Sequence, residues 1–251
     1  MKKIKVGLIP AAGRGKRIND LPLTRILPKP MLPILNRPIL EYVIENMKRM
    51  GVKDIYIVVG FKKELIQEYF GNGEDFGVRI EYVLQPDPQG VAHAIGLTRD
   101  YIEEPFFVIL GDDFTITKSL KNAVDAFWTK KALVVEGLVR EENVDKLRQT
   151  CCVLVDEDGK ILDIEEKPST PKSDVRGCGV YIFDPMVYEY IERTPASPPR
   201  YEREITNTIK LMASDVSAYG AFINGININV NTLPDLLGAT KLLLNSQKQL
   251  R

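Results

Sequence analysis

We predict an α/β fold with a mostly parallel sheet and helices on both faces from three features of the 251-residue sequence. Short runs of β-branched and aliphatic residues, typical of buried strands, recur along the first half of the chain. Segments of helical character separate them, which is the alternation of βαβ units. Three of these runs end in glycine, amide or carboxylate residues, at the edge where an open α/β sheet carries its site.

The elements alternate in order along the chain. We expect strands at 4–9, 54–60, 78–85, 106–111 and 133–139, and helices at 39–50, 63–70, 91–102 and 120–128. Beyond residue 139 the pattern changes to short strands, with turns at 156–159 and 168–174 and a proline-rich loop at 195–199. We interpret the region of about 140–231 as an inserted lobe of the same domain, followed by a closing helix at 234–249.

Composition excludes several classes of protein. The 34 basic and 34 acidic side chains cancel, which argues against a general binder of nucleic acid or of a membrane surface. No apolar run approaches the ~20 residues of a membrane span, and the short apolar stretch near the start is an unconvincing signal peptide. We therefore expect a cytoplasmic protein.

Cysteine and histidine usage limits the chemistry. Cys151, Cys152 and Cys178 form no CxxC pair and are expected to be buried free thiols. His93 is the only histidine, so a histidine-rich zinc site is excluded, and no G-x-S-x-G accompanies it. Any metal should be a hard ion held by oxygen.

The first strand leads into a basic, glycine-rich loop. Ala11, Ala12, Gly13 and Gly15 have almost no side chain, so backbone N–H groups can approach phosphate oxygens or a base edge. Positive charge lies around them, at Arg14, Lys16, Arg17, Arg25 and Lys29. The spacing excludes a dinucleotide fingerprint and a P-loop, because positions 18, 10 and 17 are isoleucine, proline and arginine. A strand-to-helix turn with solvated basic side chains is the alternative interpretation.

This region resembles the sugar-1-phosphate nucleotidylyltransferases, the family of glucose-1-phosphate uridylyl- and thymidylyltransferases. Their pattern is a strand, G-x-G-T-R, P-L-T, P-K-P-(L/M)-L-P and K-P-(L/I)-(L/I). The chain has Gly13, Gly15 and Arg17, then P-L-T at 22–24, P-K-P-M-L-P at 28–33 and R-P-I-L at 37–40, with Lys16 replacing the threonine. The resemblance implies a Rossmann-like nucleotidyltransferase fold, with a nucleotide-binding part at about 1–139 and a sugar-binding lobe at about 140–231.

A second motif follows the strand at 78–85. The segment from Gln85 to residue 94 is similar to the family's Q-x-x-P-x-G-x-A-x-A. The Gln85 amide offers a donor and an acceptor, which match N3–H and O4 of uracil or thymine, and Gly90 would let the backbone approach the base. A turn shaped by Pro86, Pro88 and Gly90, with Gln85 solvated, is the alternative.

Two further motifs indicate a metal site. Asp112 follows the apolar strand at 106–111, where a magnesium ion would meet a triphosphate, and Asp113 completes the family's G-D-D. An Asp-capped turn is the alternative. Asn229 takes the place of the family's second metal-binding aspartate, and its amide oxygen can coordinate Mg²⁺ with one less negative charge.

The E-E-K-P segment at 165–168 indicates the sugar site. By the resemblance, Glu166 would accept hydrogen bonds from sugar hydroxyls, Lys167 would meet the sugar phosphate, and Gly177 would line the following strand. A solvated ion pair is the alternative. Thr150 and Cys151 stand where relatives often have Tyr-Gly, which leaves the sugar open.

The reaction implied by the resemblance is attack of a sugar 1-phosphate on the α-phosphorus of UTP or dTTP, with glucose 1-phosphate favoured and pyrophosphate released. Arg17 and the loop amides would hold the β- and γ-phosphates, Lys29 the α-phosphate, and Asp112 with Asn229 the magnesium. No nucleic acid or membrane partner is expected, and a homo-oligomer is left open.

Three other functions stay open. One is a cytidylyl- or guanylyltransferase on the same fold. Another is a glycosyltransferase using a D-x-D motif at 156–158, for which a β-turn before Gly159 is the favoured interpretation. The third is a non-catalytic regulatory subunit that binds sugar nucleotides, which Asn229 and Cys151 keep open.

Overall fold

The computed structural model describes residues 3–13, 23–198 and 201–248, with side chains as far as residue 245. The helices are α1 (Leu23–Ile26), α2 (Ile39–Arg49), α3 (Lys63–Phe70), α4 (Val91–Gly96), α5 (Leu120–Thr129), α6 (Val144–Leu147), α7 (Val187–Arg193), α8 (Ile205–Asp215) and α9 (Leu233–Lys248). The strands are β1 (Val6–Pro10), β2 (Pro33–Ile34), β3 (Arg37–Pro38), β4 (Asp54–Val59), β5 (Arg79–Leu84), β6 (Phe106–Ile109), β7 (Asp113–Thr117), β8 (Val134–Arg140), β9 (Cys151–Val155), β10 (Ile161–Glu166), β11 (Val175–Phe183), β12 (Ala218–Phe222) and β13 (Gly225–Asn229).

Four parallel strands form one half of the central sheet, in the order β5-β4-β1-β6. The register places Leu8 between Tyr56 and Val108, so β1 is central. Its residues are apolar on both faces because helices cover both sides, as parallel sheets require. All four carboxyl ends point to the same edge, as the sequence predicts.

The other half of the sheet is mixed. Strand β11 is buried along all nine residues and runs antiparallel to both β6 and β8, while β12 runs parallel to β8. The β9–β10 hairpin joins this part where Arg176 pairs with Cys152. The predicted α/β fold is therefore confirmed as a mixed sheet of nine strands. Strands from both sides of residue 140 share it, and the division into two parts stays a prediction.

Apolar clusters cover the two faces and one edge. Helices α2, α3 and α5 pack on one face, and α4, α7 and α8 pack on the other. In α2 the buried Leu40, Val43, Ile44 and Met47 recur at the spacing of one helical face. A third cluster joins α9 to the β7–β13 pair, through Leu236 and Phe114 among others. Helix α9 therefore packs on the β7–β13 pair and on β2.

Most predicted boundaries agree with the structure within two residues, and 63–70 agrees fully. The helix predicted at 91–102 is wrong in length, because α4 ends at Gly96 and the chain continues as turns. There the Thr98 hydroxyl donates to Ile95 O at 2.7 Å, a local bond that competes with helix continuation. The β7–β13 and β2–β3 pairs were not predicted. The three cysteines are free and buried, as expected, and no described helix is long and apolar enough to cross a membrane.

Candidate active site

The strand ends meet closely enough to build one site. A Cβ atom placed on Gly60, after β4, would lie 2.8 Å from Gln85 O and 2.9 Å from Ala12 O. A Cβ atom on Gly111, after β6, would lie 3.0 Å from Pro10 O. Glycine is therefore what lets the segments after β1, β4, β5 and β6 pack together. The predicted residues on these segments share one edge of the sheet.

The loop after β1 presents backbone groups at this edge. Ala11 N–H donates to Val58 O at 2.8 Å, so this amide is used within the sheet, and the predicted contact of Ala11 with a nucleotide stays a prediction. Among the described residues, the N–H groups of Ala12 and Gly13 have no acceptor, and a Cβ on Gly13 would meet nothing within 4 Å. Gly15, Lys16 and Arg17 lie outside the described residues, so their predicted roles stay predictions.

A hydrogen-bonded chain links the predicted phosphate and metal residues. The Lys29 ammonium is 7% exposed, makes an ion pair with Asp112 and donates to Asn231 Oδ1 at 2.9 Å. Asn231 Nδ2 then donates to Asn229 Oδ1 at 2.5 Å. The backbone supports this chain because Val230 N–H donates to Asp112 O at 3.2 Å. The structure thus brings together Lys29, Asp112 and Asn229, from three distant parts of the sequence.

Asn231 is a site residue that motif matching missed. Its position is fixed by Asp235 Oδ2, which accepts from the backbone N–H of Asn231 at 3.0 Å and of Thr232 at 2.8 Å. Asp235 lies in the first turn of α9, where a carboxylate is stabilised by the helix dipole. The sequence does offer one indication of Asn231. It lies two residues after Asn229, in a turn that hydrogen bonds to Asp235 hold in place.

Asp113 is buried behind Asp112. It is 1% exposed, and neither carboxyl oxygen has a well-formed hydrogen bond among the described residues, although its ladder partner Asn229 is adjacent. Burial first, and then the charge of Asp112, raise the pKa of the Asp113 carboxyl well above its ordinary value. Gly179, with φ of 70°, leaves the room for this carboxyl, since a Cβ there would lie 1.5 Å from Asp113 Oδ2.

The donors at this place fit a hard divalent cation. Asp112 offers a carboxylate and Asn229 an amide oxygen, the ligand types that Mg²⁺ prefers. Both groups already have a partner in the protein. Asp112 makes an ion pair with Lys29, and Asn229 accepts a hydrogen bond from Asn231. No group of three or more histidine, cysteine, aspartate or glutamate side chains suited to a metal occurs in the described part of the chain. A cation here would therefore depend on substrate oxygens as well as on the protein.

Gln85 lies buried at the end of β5, at 4% exposure. Its Nε2 lies 2.7 Å from His93 Nδ1 and 3.5 Å from Gly90 O. This burial contradicts the alternative interpretation, in which Gln85 is solvated, and the predicted contact of Gln85 with a base stays a prediction. Gly90 has φ of 97°, and a Cβ there would lie 2.3 Å from Arg203 O, so the glycine accommodates the Arg203 backbone. The approach of a base to the Gly90 backbone stays a prediction.

The sugar-site residues meet at the β9–β10 hairpin. Glu166 accepts from the Thr206 hydroxyl at 2.9 Å and from Lys167 Nζ at 2.6 Å. Lys167 has φ of 47°, which is uncommon for a residue with a side chain, and its N–H donates to Thr150 O at 2.9 Å. Backbone strain of this kind collects at functional sites. Thr206 was not among the predicted site residues.

The side chain of Glu136 packs against Gly177. A Cβ on Gly177 would lie 2.0 Å from Glu136 Oε1 and 2.5 Å from Cys151 Sγ, so glycine is required for these side chains to pack there. Cys151 Sγ donates to Glu136 Oε1 at 3.5 Å, and Oε2 is buried with no partner among the residues described. Burial raises the pKa of Glu136 to about 8. Glu136 lies within an otherwise mostly apolar strand, and no sequence motif indicated it.

The D-x-D segment at 156–158 is a turn, as predicted. Asp156 Oδ1 accepts from the backbone N–H of Asp158 at 3.0 Å and of Lys160 at 2.8 Å, and Gly159 has φ of 82°. The first carboxylate is therefore used to close the turn.

Comparison with known proteins identifies the family of the chain. A family model described as nucleotidyl transferase matches residues 6–245. The chain is 34% identical to the bifunctional protein GlmU of Methanocaldococcus jannaschii over 95% of its length, covering 54% of that relative. It is 31% identical to the UTP–glucose-1-phosphate uridylyltransferase of Staphylococcus haemolyticus, over 92% of the chain and 88% of the relative.

Solved structures are also similar. The structure of a UDP-glucose pyrophosphorylase complexed with UDP-glucose superposes with a TM-score of 0.87 at 26% identity, covering 97% of this chain and 99% of that one. The chain spans between about half and two thirds of the length of the first curated relatives that it matches.

Proposed function

The chain belongs to the nucleotidyl transferase family, and from this premise we propose that it transfers a nucleotidyl group from a nucleoside triphosphate to a sugar 1-phosphate. The observation that carries the proposal is the chain of contacts from Lys29 through Asp112 and Asn231 to Asn229. It lies at the carboxyl ends of the parallel strands, on the same edge as Gln85. Relatives named as glucose-1-phosphate thymidylyltransferase and uridylyltransferase support the reaction class.

The chemistry needs alignment and charge more than a reactive side chain. An oxygen of the sugar 1-phosphate attacks the α-phosphorus of the triphosphate, the bond to the β-phosphate breaks, and pyrophosphate leaves with the electron pair. Two polyanions must approach each other, so fixed positive charge lowers the barrier. Lys29, buried and held by Asp112 and Asn231, is placed to neutralise charge that develops on the α-phosphate. Arg17 is proposed to serve the β- and γ-phosphates.

The remaining roles complete the proposal. Gln85 reads the base, and Ala12 and Gly13 offer backbone amides to the nucleotide. Glu166, Lys167 and the strand at Gly177 hold the sugar phosphate. A divalent cation, with Mg²⁺ proposed, supplies further charge neutralisation when it is bound by Asp112 and Asn229. The proposed substrates are UTP or dTTP and glucose 1-phosphate, and the proposed location is the cytoplasm.

A non-catalytic protein that binds sugar nucleotides is the second candidate. The observation that favours it is Asn229, which supplies an amide in place of a carboxylate and whose oxygen is already bonded to Asn231. A cation held this way has one less negative charge at its site.

A screen of substrates tests the proposal. The purified chain is assayed for pyrophosphate release from UTP, dTTP, CTP and GTP, each with several sugar 1-phosphates and Mg²⁺. We expect turnover that needs both substrates, is highest with UTP or dTTP and is lost in Lys29→Ala. The matched control is Lys130→Ala, which changes a surface lysine at the end of α5 that pairs with Asp158. Binding of a sugar nucleotide without any turnover would favour the second candidate.

A further inference from the structure

The Gln85 amide is held in one orientation by its neighbours. Its Nε2 faces Gly90 O at 3.5 Å and His93 Nδ1 at 2.7 Å. A carbonyl oxygen can only accept, so Gly90 O favours the NH₂ group on its side of the amide, but at 3.5 Å this contact is too weak to hold the amide alone. His93 Nδ1 is then required to accept a hydrogen bond, which places the ring proton of neutral His93 on Nε2.

This orientation leaves the other end of the amide for a ligand. Among the described residues none donates to Gln85 Oε1. An amide oxygen directed to a pyrimidine accepts the N3–H of uracil or thymine, whereas N3 of cytosine is itself an acceptor. A buried acceptor placed against another acceptor is left unpaired, which costs about 1–3 kcal/mol.

We propose that His93 is a positioning residue for base specificity: it fixes the Gln85 amide with Oε1 toward the base and so makes the site select uracil or thymine over cytosine. The inference rests on the proposed function, because it takes Gln85 as the residue that reads the base. His93 acts through Gln85 and does not itself need to touch the nucleotide.

The surroundings of His93 keep its ring neutral. Burial, and then the positive charge of Arg203, lower the pKa of His93. Arg203 is held close because its N–H donates to Gln89 O at 2.8 Å and its carbonyl accepts from Ala92 N–H at 3.1 Å. The elements packed on α4 contribute apolar or hydroxyl groups, namely Ile191 and Tyr188 from α7 and Ile205 from α8. Of the described charged groups, Arg203 is thus the one that acts on the ring.

Protonation should reverse the selection. When His93 gains a second ring proton, Nδ1 becomes a donor and can no longer accept from the Gln85 NH₂ group. The amide then gains by turning its oxygen toward His93, which directs NH₂ toward the base. That arrangement suits N3 of cytosine. The preference for uracil should therefore weaken as the pH falls through the pKa of His93.

Paired binding measurements test the inference. The dissociation constants of UTP and CTP are measured by calorimetry for the full chain and for His93→Phe and His93→Asn. Phenylalanine keeps a ring without an acceptor, whereas the asparagine Oδ1 can still accept from Gln85. We expect the ratio of CTP to UTP dissociation constants to fall about tenfold in His93→Phe and to be largely restored in His93→Asn. Both ligands are measured on the same folded protein, so the ratio is insensitive to lost stability.

The pH dependence separates positioning from packing. In the native chain the ratio should decline below the ordinary His93 pKa of 6.5, and it should stay constant with pH in His93→Asn. A native ratio retained in His93→Phe, or no UTP preference in the native chain, overturns the inference. Pyrophosphate release with a sugar 1-phosphate is followed separately. No turnover together with the expected binding ratios would reject the transferase proposal and leave the role of His93 standing.

Discussion

At the scale of single residues, the site is a set of polar groups that hold each other in place. Lys29 contacts both Asp112 and Asn231, and Gln85 contacts His93. Motif matching predicted Lys29, Asp112 and Gln85, because each stands at a strand end or in a short signature. It could not predict their partners, since contacts between residues as far apart as 29 and 231 depend on the folded chain.

Removing the Lys29 charge should slow catalysis. We expect Lys29→Ala to lower kcat by roughly 10²- to 10³-fold, the usual loss for one preorganised charge-stabilising donor. The loss of its ion pair also leaves Asp112 without its partner, so Lys29→Arg is measured beside it to retain a positive charge. Steady-state pyrophosphate release gives kcat for both variants. Near-native kcat in Lys29→Ala would remove this side chain from the mechanism.

Restoring a carboxylate at position 229 should strengthen cation binding. Asn229→Asp adds a negative charge beside Asp112, so the Mg²⁺ concentration that gives half-maximal activity should fall. The Asn231 Nδ2 group that donates to Asn229 Oδ1 can donate to a carboxylate as well. Titration of activity with Mg²⁺ measures the change, and Asp112→Asn should move the midpoint in the opposite direction. An unchanged midpoint in both variants would place the metal elsewhere.

Glu136 should make stability depend on pH. In the unfolded chain this carboxyl ionises near its ordinary pKa of 4.5, whereas burial raises its pKa in the folded protein to about 8. Between these values the folded state binds more protons, so the free energy of unfolding falls as the pH rises, by about 1.4 kcal/mol per unit at most for one group. Below pH 4.5 and above pH 8 this contribution is constant.

Denaturant titrations across this pH range measure the effect. Glu136→Gln should flatten the decline between pH 4.5 and 8, because the amide does not ionise. The control is Glu165→Gln, because Glu165 is an exposed residue next to Glu166. This variant should leave the slope of unfolding free energy against pH unchanged. The same decline in Glu136→Gln as in the native chain would show that other groups cause it.

At the scale of elements, the parallel strands were predictable and β11 was not. Runs such as residues 55–59 and 106–110 are hydrophobic and are each followed by glycine, so pattern alone locates them. Strand β11 is equally buried, but its place between β6 and β8 follows from pairing across long stretches of sequence. The short α4 was overestimated because Thr98 and the residues after it continue as turns that resemble a helix in sequence.

Two glycines offer a matched test of β11. Gly179 has φ of 70°, and a Cβ there would lie 1.5 Å from Asp113 Oδ2, so Gly179→Ala should be strongly destabilising and displace Asp113. Gly238 lies within α9, where a Cβ would meet nothing within 4 Å. There Gly238→Ala should stabilise by roughly 0.5–1 kcal/mol, because alanine is the better helix former. Thermal unfolding measures the change in stability of both variants. An equal change in stability in Gly179→Ala and Gly238→Ala would contradict the packing described at β11.

At the scale of the whole molecule, the balanced charge indicated a protein that places positive charge locally, and the structure buries Lys29 beside carboxylates and amides at one edge of the sheet. The sequence could predict that edge because parallel strands end together. The sequence predicted a helix at 234–249 but could not predict that Leu236 packs against the β7–β13 pair, since that contact joins distant segments. For the same reason the sequence could not predict that the sheet is mixed, since β11 pairs with strands that are distant in sequence.

The span of the Lys29 contacts has a consequence for how the chain matures. Lys29 is separated from Asp112 by 83 positions and from Asn231 by 202. Contacts of such sequence separation form late, after the entropy of closing long loops has been overcome. A nascent chain in which β13 and the start of α9 have not yet left the ribosome therefore lacks Asn229 and Asn231. Its phosphate site is incomplete even when its first strands have already paired. The Lys29 site therefore cannot form before the segment that carries Asn231 has been synthesised.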